Sequence, residues 1–296
     1  MPKNIDIKLL LSMIIVGLVW GTTFLGISIA VETIPPWYST TIRNFIAALI
    51  LFIILLSQKE FKWIGWPSLG QQLILSVLML VFANGFTTIA EQTLPSGLTS
   101  IISAVNPVVI FVLSIGFQLQ QPSWKGILGV LLGFSGVVFI FKDGLDDILN
   151  PDYKTGVLFL SIAILSWGLG TIYSKKLSSQ PSNLSLNLFY QFFIASLIQI
   201  VLAVLLHPSS EIESWSGKSI GAVVYLAVFG SVVTMFCYQY ALQRVTPIQV
   251  SILTYVNTVI AVFLGWYLNN EVVTKDFIIA VILIIIGVFV INYRKK

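Results

Sequence analysis

Residues 104–108 read Ala-Val-Asn-Pro-Val, and residues 255–259 read Tyr-Val-Asn-Thr-Val. The two stretches lie 151 positions apart, and the same offset aligns Ala90 with Ala241, Gln92 with Gln243, Asn106 with Asn257 and Gly136 with Gly287. Nearer the N-terminus an offset of 147 aligns Trp20-Gly21 with Trp167-Gly168 and Phe45 with Phe192, and sets Arg43-Asn44 against Tyr190-Gln191. Single identities are common by chance in apolar sequence. A series kept in order, with one four-residue slip, reads instead as a duplication, with one copy in 1–145 and the other in 152–296.

What is duplicated follows from composition. The chain has 296 residues, of which 57% are hydrophobic and 9% charged, and its mean hydropathy is +0.95. A soluble domain carries roughly a quarter charged residues. Sixteen Lys and Arg with twelve Asp and Glu are too few to cover a globule of this size. A soluble enzyme, a nucleic-acid binder and a disordered chain are excluded, and the bilayer becomes the expected partner. The single cysteine, Cys237, excludes an internal disulfide. The single histidine, His207, excludes a histidine-built metal cluster. Neither a metal nor a cofactor is expected.

A spanning helix needs about 20 mostly apolar residues. Ten such stretches are predicted, near 9–31, 36–57, 72–92, 96–117, 123–141, 156–176, 184–206, 219–240, 247–268 and 273–293. Helices are required because lipid offers backbone groups no partner and no ten-residue alternation suggests a barrel. The first stretch is too long for a signal peptide and carries Trp20-Gly21-Thr22-Thr23-Phe24 at its centre, so a retained helix is expected. Each copy then holds five spans. Because five is odd, the second copy runs upside down relative to the first. The predicted architecture is therefore an all-α integral membrane protein of ten transmembrane helices, built as two inverted five-helix repeats. Many secondary transporters are built so, with substrate near the midplane between the halves. With an inside N-terminus, eleven Lys and Arg fall on inner connections and four on outer ones. That bias predicts a multi-pass protein of the inner (plasma) membrane with both termini cytoplasmic.

The residues also resemble a known family. Trp20-Gly21-Thr22-Thr23-Phe24 in the first span and Arg43-Asn44-Phe45 early in the next are similar to motifs of EamA-type members of the drug/metabolite transporter superfamily. Ser96-Gly97-Leu98 leading to Asn106-Pro107, and Glu271 with Gly287 sixteen residues later, fit the same pattern. The resemblance covers nearly the whole chain. It implies export or exchange of small metabolites, such as amino acids or related organic compounds, by alternating access through a central cavity. One departure stands out: the family usually carries a Glu after the fourth span as well as the ninth, and here the fourth-span place is Gln120.

Polar side chains inside a membrane are costly and tend to face a cavity. Asn84, Thr87, Thr88 and Glu91 share one face of the third span, and Thr99, Ser103 and Asn106 share one of the fourth. The seventh span offers Asn187, Tyr190 and Gln191, and the eighth offers Ser231, Thr234 and Tyr238. The ninth offers Ser251, Thr254, Asn257 and Thr258. Helix–helix hydrogen bonding is the alternative for any one of these residues. Together they predict a cavity lined by spans one to four and six to nine, with Trp20, Asn84, Asn106, Trp167 and Asn257 near its waist. Spans five and ten are nearly free of hydrogen-bonding groups and are expected at the periphery. Gly126, Gly129, Gly133 and Gly136 there serve either a homodimer contact or packing within one chain.

Arg43 lies seven residues into the second span, roughly 10 Å below the outer edge at 1.5 Å per residue. It either snorkels to the interface, pairs with Glu91, or binds an anionic or zwitterionic substrate, since a guanidinium suits planar anions. Substrate contacts are thus expected from Trp20, Arg43, Asn84, Asn106, Trp167, Tyr190, Gln191, Tyr238 and Asn257, with gating or coupling from Glu91 and Arg43. A lipid-modifying membrane enzyme and a channel or scaffold are the alternatives. The first would want a carboxylate cluster at an interface, and Asp143, Asp146, Asp147 and Asp152 read better as a solvated loop. No Gly-Lys-Ser/Thr phosphate loop is present to use ATP.

Overall fold

The computed structural model describes residues 6–140, 151–179, 182–207, 214–260 and 275–292; Glu271, Asp143, Asp146 and Asp147 lie outside them. The chain folds into helices α1 (Ile7–Val31), α2 (Pro36–Ser57), α3 (Trp66–Ala90), α4 (Ser96–Gly116), α5 (Trp124–Ile140) and α6 (Lys154–Leu177). These are followed by α7 (Leu184–Leu206), α8 (Gly217–Arg244), α9 (Pro247–Ile260) and α10 (Lys275–Asn292). Among the described residues, seven helical stretches are long and apolar enough to cross a membrane; shorter apolar helices occupy α5, α9 and part of α10. The protein is a helical membrane protein with several spans.

Chain punctuation sets the helix ends. Asp6 accepts from the Leu9 N–H at 3.1 Å, and Asn183 accepts from Leu186 at 3.1 Å, so α1 and α7 each begin on a side-chain cap. Thr246 and Gln249 form a capping box at the start of α9. The third helix starts at Trp66, six residues before the expected 72. Gly65, at φ +80°, turns the chain in a left-handed conformation, and Pro67 fits the first turn of a helix.

Two helices widen in their interiors. Ser76–Asn84 of α3 and Leu226–Val233 of α8 have π-helical hydrogen bonding. Such segments release carbonyls from the regular ladder and often mark functional positions. Here side chains take up the slack. Gln199 Nε2 donates to Leu80 O at 2.9 Å, and Thr234 Oγ1 donates to Phe229 O at 2.6 Å. Shifted by 151, Ser76–Asn84 falls on 227–235, almost coincident with the second π segment.

α2 packs along α7, α1 along α8, α3 along α6, and α5 along α10. At the α2–α7 seam Asn44 Nδ2 donates to Gln199 Oε1 at 2.7 Å, with both residues fully buried. A Cβ at Gly129 would stand 2.8 Å from Gly287 O, so α5 and α10 approach closely at these two glycines, while Gly126 lies against Phe111 and Gly133 against Tyr255. Outward faces carry Leu18, Ile53, Leu131, Leu197 and Ile285, all more than half exposed, which suits contact with lipid. Trp37 is 4% exposed and packs on Phe86 and against Gly85, whose absent side chain leaves room for the indole.

Candidate functional site

Trp20 of α1 and Trp167 of α6 meet edge to face, with ring centroids 5.1 Å apart. Tyr238 of α8 closes the group, 5.1 Å from Trp20 and 5.2 Å from Trp167. Polar tips are anchored. Trp20 Nε1 donates to Gly230 O at 3.3 Å, and the Tyr238 hydroxyl bonds Thr171 Oγ1 at 2.7 Å. Small residues bring these helices close enough. Gly21 lies against Ile260, and Gly168 lies against Val109 and Leu113. The two sequence offsets pair Gly21 with Gly168 and Val109 with Ile260, so these contacts occupy related positions.

One side of this aromatic group opens into a cavity of about 110 Å³. Its walls come from α1, α2, α3, α4, α6 and α9; Trp20, Arg43, Asn84, Asn106, Trp167 and Asn257 line it. Thr23, Thr87, Ser103 and Thr254 add hydroxyls, and Phe24, Ile27 and Ile164 add apolar surface. Turned over, the Asn257 amide donates to Leu253 O at 2.9 Å and Gly17 O at 2.8 Å, tying α9 to α1. Asn106 Oδ1 is buried without a partner. Of the residues expected at a substrate, six line this chamber. Among the described residues no side chain of α5 or α10 lines it.

Arg43 is 5% exposed and so does not snorkel. Its Nε donates to Ser231 Oγ at 2.8 Å, which fixes the plane of the guanidinium. Among the described residues the other guanidinium N–H groups have no hydrogen-bond partner in the protein, and the residue lines the cavity. Glu91, expected as its ion-pair partner, is also 5% exposed, but neither carboxylate oxygen has a hydrogen-bond partner. Arg43 and the backbone of Ser28 act on it electrostatically, without a direct salt bridge to Arg43. Glu91 caps the end of α3 behind the cavity wall rather than lining it.

Three expected residues lie elsewhere. Tyr238 is 1% exposed inside the aromatic group. Tyr190 Oη donates to Lys62 O at 3.1 Å, near the loop between α2 and α3. Gln191 lines a second cavity, of about 100 Å³, on the far side of the aromatic group. Gln72, Asn187, Gln239, Gln243 and Ser174 share its wall. Sequence reading missed this glutamine cluster, although Gln239 and Gln243 stand at i and i+4, spacing that puts them on one face of the helix. Gln120, which stands where the resembling family has Glu, keeps a buried, unpartnered Oε1. No group of three or more His, Cys, Asp or Glu suited to a metal occurs among the described residues.

The chain has recognisable relatives. A family model described as the EamA-like transporter family matches residues 7–142 and again 154–293. The uncharacterized transporter YoaV of Bacillus subtilis is 26% identical over 287 residues, covering 96% of both chains. The uncharacterized inner membrane transporter YedA of Escherichia coli K12 is 28% identical over 281 residues, covering 94% of this chain and 88% of its own. PagO of Salmonella typhimurium is 27% identical over 290 residues, covering 97% and 93%. A solved crystal structure of another protein superposes with a TM-score of 0.79 over 97% of each chain at 17% identity, a likeness of fold alone.

Proposed function

The chain belongs to the EamA-like transporter family, and on that premise we propose that it is a secondary transporter of small organic solutes bearing a carboxylate, free or zwitterionic. It is a transporter rather than an enzyme. The observation that carries the substrate class is Arg43: a buried guanidinium, held at Nε by Ser231, on a residue that lines a cavity. A charge so placed is expensive unless an anion or water meets it. A carboxylate accepts two parallel bonds from it. Trp20 and Trp167 then offer flat apolar faces to the rest of the solute, and Asn84, Asn106 and Asn257 offer amides.

The mechanism proposed is alternating access across two inverted five-helix units, 1–145 and 152–296, with both termini cytoplasmic in the inner membrane. Supporting the duplication are the near-coincident π segments, the related contacts of Gly21 and Gly168, and two successive matches to one family model. In that frame the Arg43 chamber opens outward and the aromatic group of Trp20, Trp167 and Tyr238 is its closed inner floor. Glu91 holds the coupling proton. Glu91 is buried and feels the Arg43 charge, so an anion bound at Arg43 changes the field that Glu91 meets.

Counterflow in proteoliposomes without ATP tests the reading. Saturable exchange of a carboxylate solute is expected, and replacing Arg43 by Lys should weaken apparent affinity about tenfold, the equivalent of one charge-assisted hydrogen bond of ~1.4 kcal/mol. Undiminished exchange in Arg43→Ala rejects the substrate class.

A further inference from the structure

We propose that the second cavity, walled by α3, α6, α7 and α8, is a separate solute-binding site selective for uncharged groups that both donate and accept hydrogen bonds, such as a carboxamide; this rests on the transporter reading above.

Two side-chain pairs frame the chamber. On one wall Gln191 Nε2 donates to Gln72 Oε1 at 2.7 Å. On the other Ser174 Oγ donates to Gln239 Oε1 at 2.6 Å. These bonds use some of the available groups and leave others unmet. Gln191 is 3% exposed and its Oε1 has no partner, so an acceptor is left over. Gln72 is also 3% exposed, and its amide nitrogen makes no hydrogen bond among the described residues. Gln239 Nε2 reaches only the sulfur of Met79, at 3.9 Å, a weak acceptor. Unmet donors and an unmet acceptor therefore remain around one space of about 100 Å³. A ligand that both donates and accepts is favoured there, because it meets groups that the protein leaves unpaired.

Charge separates this site from the first. Arg43 stands in the wall of one chamber, whereas among the described residues no Lys, Arg, Asp or Glu lines the other. An anion entering the glutamine chamber would lose water without gaining a counter-charge. A carboxamide would lose little, because each of its bonds to water has a replacement. Trp167 lines the first cavity and Ser174 the second, seven residues along α6, or about 10 Å. Between them the Thr171–Tyr238 bond and the aromatic group separate the two spaces. A solute crossing the protein would thus be held first by its carboxylate and then by its neutral polar groups.

The test uses full-length protein and paired probes: propionamide with propionate, and L-glutamine with L-glutamate. Asn187→Cys is introduced with Cys237→Ser, and its reaction with a small maleimide is measured in detergent. Propionamide and L-glutamine should slow labelling, and propionate should not. Gln191→Leu should raise the concentration of propionamide needed for protection at least tenfold, while carboxylate-induced thermal stabilisation, which belongs to Arg43, stays as in the parent. Should Gln191→Leu fold poorly, protection in the parent variant decides alone. Protection by propionate equal to that by propionamide, or by neither, overturns the site. Carboxylate stabilisation that persists in that case leaves the Arg43 reading standing; its loss with amide protection intact would fault that reading alone.

Discussion

Trp20 and Trp167, separated by 147 positions in the chain, share an edge-to-face contact at 5.1 Å. Each lines the cavity that holds Arg43, and Tyr238 touches both. A ring pair of this kind is worth about 0.5–1.5 kcal/mol beyond the area it buries. In the alternating access proposed above, such a contact holds the barrier closed and yields to a bound solute.

The polar anchor and the barrier of Trp20 separate by substitution. Trp20→Phe keeps a ring but loses the bond to Gly230 O, so a loss of about 1 kcal/mol in thermal stability is expected with exchange retained. Trp20→Ala removes the barrier itself. Proteoliposomes carrying it should leak solute that the Trp20→Phe protein retains.

Ser231 acts through Arg43. Ser231→Ala leaves a buried Nε unsatisfied, with an expected cost of about 1–3 kcal/mol. The apparent KM for exchange should rise as the guanidinium loses its fixed plane. In the Arg43→Ala background Ser231→Ala should add little, since the two act as one unit. Additive losses would show that Ser231 works independently.

Glu91→Gln should fold about as stably as the parent, because the amide has the shape of the carboxyl and fills the same buried place. Exchange at equal pH on both sides should persist, and accumulation driven by an imposed pH gradient should disappear. Unchanged gradient-driven uptake would remove Glu91 as the proton carrier.

Gly133→Ala should destabilise by about 1–3 kcal/mol, since its new methyl runs into the buried ring of Tyr255. Gly221→Ala, with open space around it, serves as the control and should match or exceed parental stability. Paired melting curves in detergent check both.

Composition alone settled that this chain lives in a bilayer, since 9% charged residues leave no other solvent for it. Hydropathy placed the described helices to within a few residues, except where Gly65 and Pro67 began α3 early; the end of the ninth stretch and the start of the tenth lie outside the described residues. Membership of a transporter family was also legible, in the Trp-Gly motif and the order of the segments. Periodicity further grouped Asn84 with Thr87, and Ser103 with Asn106, on faces that line one cavity. These are local properties: a helix in lipid makes its hydrogen bonds within itself, so each segment announces itself without its neighbours.

Which polar residues face the same space was a matter for tertiary structure. Tyr190 and Gln191 stand beside each other on α7, yet one bonds the loop carbonyl of Lys62 and the other lines the glutamine chamber. Arg43 escapes the interface because Ser231, 188 residues away, holds its Nε inside the bundle. Glu91 comes near Arg43 without joining it. The π segments in α3 and α8 shift the phase of every side chain beyond them, and sequence periodicity assumes a regular turn. Facing relations depend on how helices from distant parts of the chain cross, and no segment carries that information by itself.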